Sequence, residues 1–437
     1  MPFTRRELVG GAALAGAATL LPAIRPAVAG ITPGKPFAGK EVKVLSVQAT
    51  QFAAHVKRIP AFTEQTGIKV TYVYVPFASL RERLTTEMVG GSDDFDLVTV
   101  MDVWIPPLVD KYLAPIDKDV AARGIDLKRY PEPFLAAAKF PTGLYGLPNR
   151  CHIQLLWYRK DLFDKAGLQP PKTWDEMVAA GKKVQEQNPG IAGVTIPFGK
   201  QDGQNLMVWY NFLWGAGGDL FDANMKPIFN SEAGIKATQD FTDIILKHKI
   251  TPAGAASFNE ADSTTNFFQG KSAMVPVWWH VYNRFRLPDA VVKPEQAGFV
   301  PLPSYPGKGA TTYTNDWIYG LNGKSKNRDA AVEFLDYISQ PEVERSILVD
   351  PAESDVVCVH WSNLRDPQVN ARFTGMHGIA AKALETTTKS IPNIPEFLPI
   401  VDVLSAAMSN IVTGGISIPD ALNGAAAQAT RLIKKGG

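Results

Sequence analysis

The stretch AMVPVWWHVY, residues 273–282, sets Trp278, Trp279 and His280 side by side. On an extended backbone neighbours point to opposite faces, so Trp278 and His280 share one face and Trp279 takes the other. An indole beside an imidazole suits a polyhydroxylated ligand. Its C–H faces stack on aromatic rings, and each hydroxyl wants a donor and an acceptor. The chain holds nine tryptophans, enough for a stacking site, although any single tryptophan is most often core. Polar groups that could complete such a site stand at the ends of predicted elements. Asp102 directly follows a predicted strand, where it could accept two hydroxyls or serve as a turn or N-cap residue. Gln51 follows another strand. Asn205 opens a predicted helix whose first amides could present donors.

Other chemistry finds little support. The acidic run SDDFD (92–96) reads as a solvated loop before a buried strand rather than a metal site or catalytic pair. The run DLFDAN (219–224) lacks the glycine and distal glutamate of a calcium loop. Cys151 and Cys358 make no metal-ligand set with the scattered histidines, and two buried free thiols are expected of them. Serine-hydrolase, zinc-protease and phosphate-loop motifs are absent, and no cofactor is expected.

The first thirty residues read as an address. Paired Arg5 and Arg6 precede a Gly/Ala-rich apolar run from Val9 to Leu21, and Ala27-Val28-Ala29 forms a small-x-small cleavage site. The twin arginine, the modest hydrophobicity and Arg25 before the cut resemble a Tat signal, so residues 1–29 are expected to be removed on export to the periplasm. Of 45 basic and 43 acidic residues that segment holds three arginines and one glutamate, leaving 42 of each. A neutral chain without basic runs offers no footprint for nucleic acid. No later stretch has the apolar length of a membrane span. The remaining length exceeds what one core usually supports, so two lobes are expected.

These residues need a scaffold, and strand and helix signals alternate along the chain. Strands are predicted at EVKVLSV (41–47), IKVTYVYV (68–75) and FDLVTVM (95–101), with a helix ending at Gly67 and another running from Ser79 to Gly91. That order implies a mainly parallel sheet with right-handed crossovers, in which ligands sit beyond the carboxyl ends of the strands. The loops there begin at Gln48, Pro76 and Asp102. Further on, HIQLLWYR reads as a strand, and Thr173 with Glu176 as a capping box.

From residue 145 the text YGLP…LLWYRKDLFDKAGL.PPKTWDEM resembles the signature of bacterial ABC-transporter solute-binding proteins, extracellular family 1, the maltose-binding-like group. Three more blocks agree in order, opening at FLWGAGGDLFD (212–222), FFQGKSAMVPVWWH (267–280) and NDWIYGLNGKSK (315–326). The resemblance covers essentially all of the chain after residue 30. It implies an α/β fold of two lobes, each a mainly parallel sheet flanked by helices, with the ligand cleft at the hinge. On that template lobe one takes 31–149 and 318–350, lobe two takes 150–317 and 351–437, and Pro148–Arg150 and Thr312–Trp317 cross between them. Hinge closure on ligand is implied as well.

The resemblance puts Trp104, Trp209, Trp214, Trp278 and Trp317 beside the cleft, with Arg150 and His152 at the first crossing. His280 joins Trp278, and Trp279 should pack into lobe two. Asp316 stands where relatives often carry glycine, adding a carboxylate that either alters ligand preference or caps the strand. Trp157 and Trp174 are assigned to structure; Trp361 has no placement. The function implied is capture of a sugar or polyol for the transmembrane subunits of an ABC permease, by a monomer touching the membrane complex only peripherally. An exported glycoside hydrolase or lyase using Asp102 and Asp316 is the alternative from another class. A non-sugar solute such as a polyamine is the nearest rival within transport.

Overall fold

The computed structural model describes residues 30–386 and 388–436; the predicted signal segment lies outside them. Two sheets carry the fold. In the first, the strands run in the order Lys69–Val75, Glu41–Val47, Leu97–Met101, Trp317–Leu321, Leu147–Pro148. In the second, Thr388–Lys389, Thr312–Asn315, His152–Arg159 and Met274–Trp278 lie side by side, and Ala297–Pro301 also pairs with His152–Arg159. Helices flank both sheets, giving two α/β lobes. Among the described residues no helix is long and apolar enough to cross a membrane.

The first three strands are parallel, as their alternation with helices predicts. The expectation of mainly parallel sheets needs correction beyond them. Trp317–Leu321 runs antiparallel to both of its neighbours, and the strands paired with His152–Arg159 are all antiparallel to it. The reason is the hinge. The chain leaves the first sheet at Pro148 and enters the second at His152; it returns through Asp316, between Asn315 and Trp317. A strand entering from the other lobe starts where the resident parallel strands end, so it has to run the opposite way. Thus Trp317 pairs with Met101, the last residue of its strand.

Local chemistry explains several boundaries. The segment predicted as one helix ending at Gly67 is two, Thr50–Val56 and Ile59–Thr66. Pro60 sits at the start of the second, where its missing N–H costs nothing. Gly67, at φ 73°, ends it in the left-handed region. The helix expected to open at Ser79 begins instead at Phe77, directly after Pro76. The Thr173 capping box forms as read, with Thr173 Oγ1 accepting from Glu176 N at 3.2 Å. Cys151 and Cys358 are both buried free thiols.

Candidate functional site

The carboxyl ends of the first-lobe strands face the hinge end of the second sheet across a cavity of about 630 Å³. The first lobe contributes Val47, Gln48, Thr50, Phe77, Met101 and Trp317. Opposite them stand Gln204, Asn259, Glu260, Trp278 and His280, with Arg150 and His152 at the crossing. An adjoining cavity of about 450 Å³ shares Gln48, Thr50, Arg150 and His280 and reaches Asp355.

The strand that brings in Trp278 ends with it; Trp279 starts a 3-10 helix running to Arg286. The alternation predicted for AMVPVWWHVY therefore does not continue as a strand, yet the two sides sort as expected. Trp278 and His280 line the cavity, and Trp279 is fully buried. Its burial needs a correction: Trp279 donates to the Cys151 carbonyl at 3.2 Å and packs edge-on to Phe134, from the helix beside the first sheet, as well as near His377. It fills the junction between the lobes rather than lobe two alone.

The histidines of the lining carry ring nitrogens without partners. His152 is only 1% exposed, yet neither ring nitrogen meets a hydrogen-bond partner, and Nδ1 of His280 has none either. The two imidazoles lie 4.6 Å apart between centroids. Burial first, and then the neighbouring Arg150, hold both pKa values well below the usual histidine range. Each ring is thus neutral near pH 7 and offers one donor and one acceptor, the complement of a hydroxyl. Glu260 accepts from Trp278 Nε1 at 3.0 Å and lies 3.7 Å from His280 Nε2. With the imidazole neutral, that last contact is no ion pair. Burial raises the Glu260 carboxyl to about 7, against the opposing pull of Trp278 and Arg150. Arg150 places its guanidinium 5.5 Å from the centre of the Trp317 ring; burial lowers it to about 10, so it stays charged at neutral pH.

Of the twelve residues expected at the site, Arg150, His152, Trp278, His280 and Trp317 line the main cavity. The other seven are engaged elsewhere. Gln51 is buried and donates to the Asn149 carbonyl. Asn205 pairs with Ser405, accepting from its hydroxyl and donating to its carbonyl. Trp209 is core, its indole donating to Thr238 at 2.9 Å. Trp214 donates to Asp219 and stacks on Tyr210. Trp104 supports Trp317 edge-on at 5.7 Å and borders only a small void behind it.

Asp102 and Asp316 are hinge residues, not cavity residues. Asp102 accepts from Tyr313, Asn315, the Asp316 amide and the Val103 amide. Asp316 is wholly buried and takes a hydrogen bond from Thr314 at 2.9 Å. Burial raises both carboxyls, Asp102 to about 7 and Asp316 well above its ordinary range, the latter also through the charge of Asp102. The carboxylate pair that a hydrolase would use does not reach the cleft.

Gln48 and Phe77 stand in loops that were expected beside a ligand, whereas sequence reasoning missed Gln204, Asn259, Glu260 and Asn283. A signal for two of them was present. Asn259 and Asp262 form a capping box at the start of the Glu260–Phe268 helix, and a helix start aimed at a cleft is a natural place for polar lining.

A family model described as bacterial extracellular solute-binding protein matches residues 46–345. A Sinorhizobium fredii protein named as a probable amino-acid ABC transporter periplasmic-binding protein is 26% identical, covering 87% of each chain. A mannitol-binding protein of Pseudomonas aeruginosa is 22% identical, over 85% of this chain and 87% of that one. Among solved structures, a ribitol complex of an ABC transporter solute-binding protein from Agrobacterium radiobacter matches with TM-score 0.78 at 23% identity, over 91% of this chain and 100% of that one. A maltose-bound protein of T. maritima matches with TM-score 0.80 at 21% identity, over 90% and 99%. The fold is theirs: two lobes around a cleft.

Proposed function

Because the chain belongs to the bacterial extracellular solute-binding proteins, we propose that it captures a sugar or polyol in the interlobe cleft and delivers it to the transmembrane subunits of an ABC importer. The observation that carries this reading is the cavity's composition. Indole and phenyl faces from Trp278, Trp317 and Phe77 stand beside amides and two neutral imidazoles, of which both nitrogens of His152 and Nδ1 of His280 lack partners. Ring faces take C–H surfaces, and the unpaired donors and acceptors take hydroxyls. A polyol complex, a maltose complex and a mannitol-binding relative share the fold or the sequence pattern, which supports the same ligand class.

The protein works as a monomer that binds and releases its solute unchanged. The hydrolase reading rested on Asp102 and Asp316, which are locked in hinge hydrogen bonds away from the cavity.

A thermal-shift screen over sugars, polyols, polyamines and amino acids tests the ligand class. A ligand that binds only the folded state raises its stability by mass action, about 2.7 kcal/mol at a hundredfold excess over Kd. Shifts confined to hydroxylated compounds support the reading; shifts confined to amines or amino acids overturn it. Export follows the twin-arginine route into the periplasm. Replacing Arg5 and Arg6 together with lysine is expected to leave uncleaved precursor in the cytoplasm, and normal export of that variant would refute the route.

A further inference from the structure

Three partly buried arginines among the described residues are paired with carboxylates. Arg58 meets Glu353, Arg123 meets Glu333 and Asp336, and Arg159 meets Asp161, each within ion-pair distance. Such pairing is what a guanidinium removed from water requires. Arg150, like them only partly buried, has no carboxylate in ion-pair distance among the described residues. One face of its guanidinium lies against the Trp317 ring, and among the described residues no acceptor stands within hydrogen-bond distance of its N–H groups. Glu260 and Asp355 act on it only at longer range. Both carboxyls have work of their own: Glu260 accepts from the Trp278 indole, and Asp355 accepts from the Val357 amide at 3.3 Å. The unpaired fork opens on the cavity, alongside the partnerless His152.

From this we infer that the solute is acidic: a hydroxylated carboxylate of the aldonate or uronate type, its carboxylate docked on Arg150 and its hydroxyls on the surrounding imidazoles and amides. The inference rests on the sugar-or-polyol reading and narrows it. A carboxylate matches the planar fork with two parallel hydrogen bonds. A phosphate ester, with nearly two charges, would call for a second unengaged cation. Of the other cations at the cavity, Arg284 meets Asp289 at 3.9 Å and Arg286 gives an N–H to the Pro351 carbonyl. An amino acid would bring an ammonium as well, and one oxygen of Glu260, the carboxyl lining this cavity, already accepts from the Trp278 indole.

Calorimetric titration at pH 7.5 and low salt, using matched pairs, tests the assignment. The pairs are glucuronate with glucose, galacturonate with galactose and gluconate with sorbitol, with glucose 6-phosphate and glutamine as further arms. At least one acid is expected to bind about 10- to 100-fold more tightly than its neutral partner, the range of a charge-assisted hydrogen-bonded pair. Arg150→Met is expected to erase that advantage, costing the acid at least about tenfold more than its neutral partner, and Arg150→Lys to keep part of it, since lysine retains the charge without the fork. Unliganded melting of both variants checks that they fold; if Arg150→Met does not, the wild-type pairs and Arg150→Lys still decide. Equal affinity for acid and neutral members, or equal losses for both in Arg150→Met, overturns the acid assignment and leaves the sugar reading standing. Tightest binding of glucose 6-phosphate overturns the carboxylate. Binding of glutamine alone, or of nothing in the panel, overturns both readings.

Discussion

Truncating Trp278 to alanine removes an indole that borders the cavity and donates to Glu260 at 3.0 Å. Truncating its neighbour empties a fully buried site between Phe134, His377 and the Cys151 carbonyl. The two variants are therefore expected to separate binding from stability. Trp278→Ala should weaken ligand binding by about 2–4 kcal/mol with a smaller change in the unliganded melting temperature. Trp279→Ala should cost about 3–5 kcal/mol of fold stability through its cavity. Calorimetry with ligand and melting without it measure the two effects, and a reversed pattern would mean that the indoles have been assigned to the wrong sides. The pair was legible because alternation of facing depends on the backbone alone. Trp209, Trp214 and Asn205 were not, because helix Gln204–Gly215 is buried almost all round and turns these side chains to Thr238, Asp219 and Ser405. A sequence shows which helix carries a tryptophan, but which neighbour receives its N–H is a tertiary fact.

At the hinge, Asp102 accepts three hydrogen bonds from the Tyr313–Asp316 crossing and one from the Val103 amide, while burial holds its carboxyl near 7. Its folded pKa lies above the ordinary aspartate value, so the folded state keeps the proton longer than the unfolded chain does. The resulting stabilisation is complete below about pH 4 and is lost as pH rises through 7. Urea melts of unliganded wild type and Asp102→Asn at pH 5 and 8 check this. The wild type is expected to lose roughly 2–4 kcal/mol relative to the variant between those values, and a constant difference would show Asp102 ionised throughout. Asp316, packed against it, is raised by burial and by the charge of Asp102, so its own contribution also falls with pH; the variant keeps Asp316, and the comparison subtracts that part. At this scale the sequence was informative where periodicity is local: Glu41–Val47, His152–Arg159 and the Thr173 capping box all form where they were read. The mainly parallel sheet expected of the second lobe did not form, because antiparallel returns to His152–Arg159 come from segments more than a hundred residues away. Asp102 itself was read as a ligand group because its position after a strand is visible and its four donors are not.

The chain crosses between the two sheets at Asn149–Cys151 and at Asp316, Trp279 packs on Phe134 across the junction, and the cleft lies beside these contacts. A cavity this size, lined from both sides, excludes water from a small solute only if the lobes approach each other. X-ray scattering is therefore expected to give a smaller radius of gyration at saturating ligand than without it. An unchanged profile with binding confirmed by calorimetry would establish a rigid site. The placement of the indoles adds an optical consequence. Trp157, Trp209 and Trp279 are fully buried in packed surroundings, whereas Trp278 and Trp317 form walls of the cavity. Occupation of the cavity changes the dielectric around those two emitters and leaves the others as a steady background. Unlabelled protein excited at the red edge of indole absorption should thus report its own saturation through a shift in emission, and Trp278→Ala should lose much of that signal while keeping most of the total light.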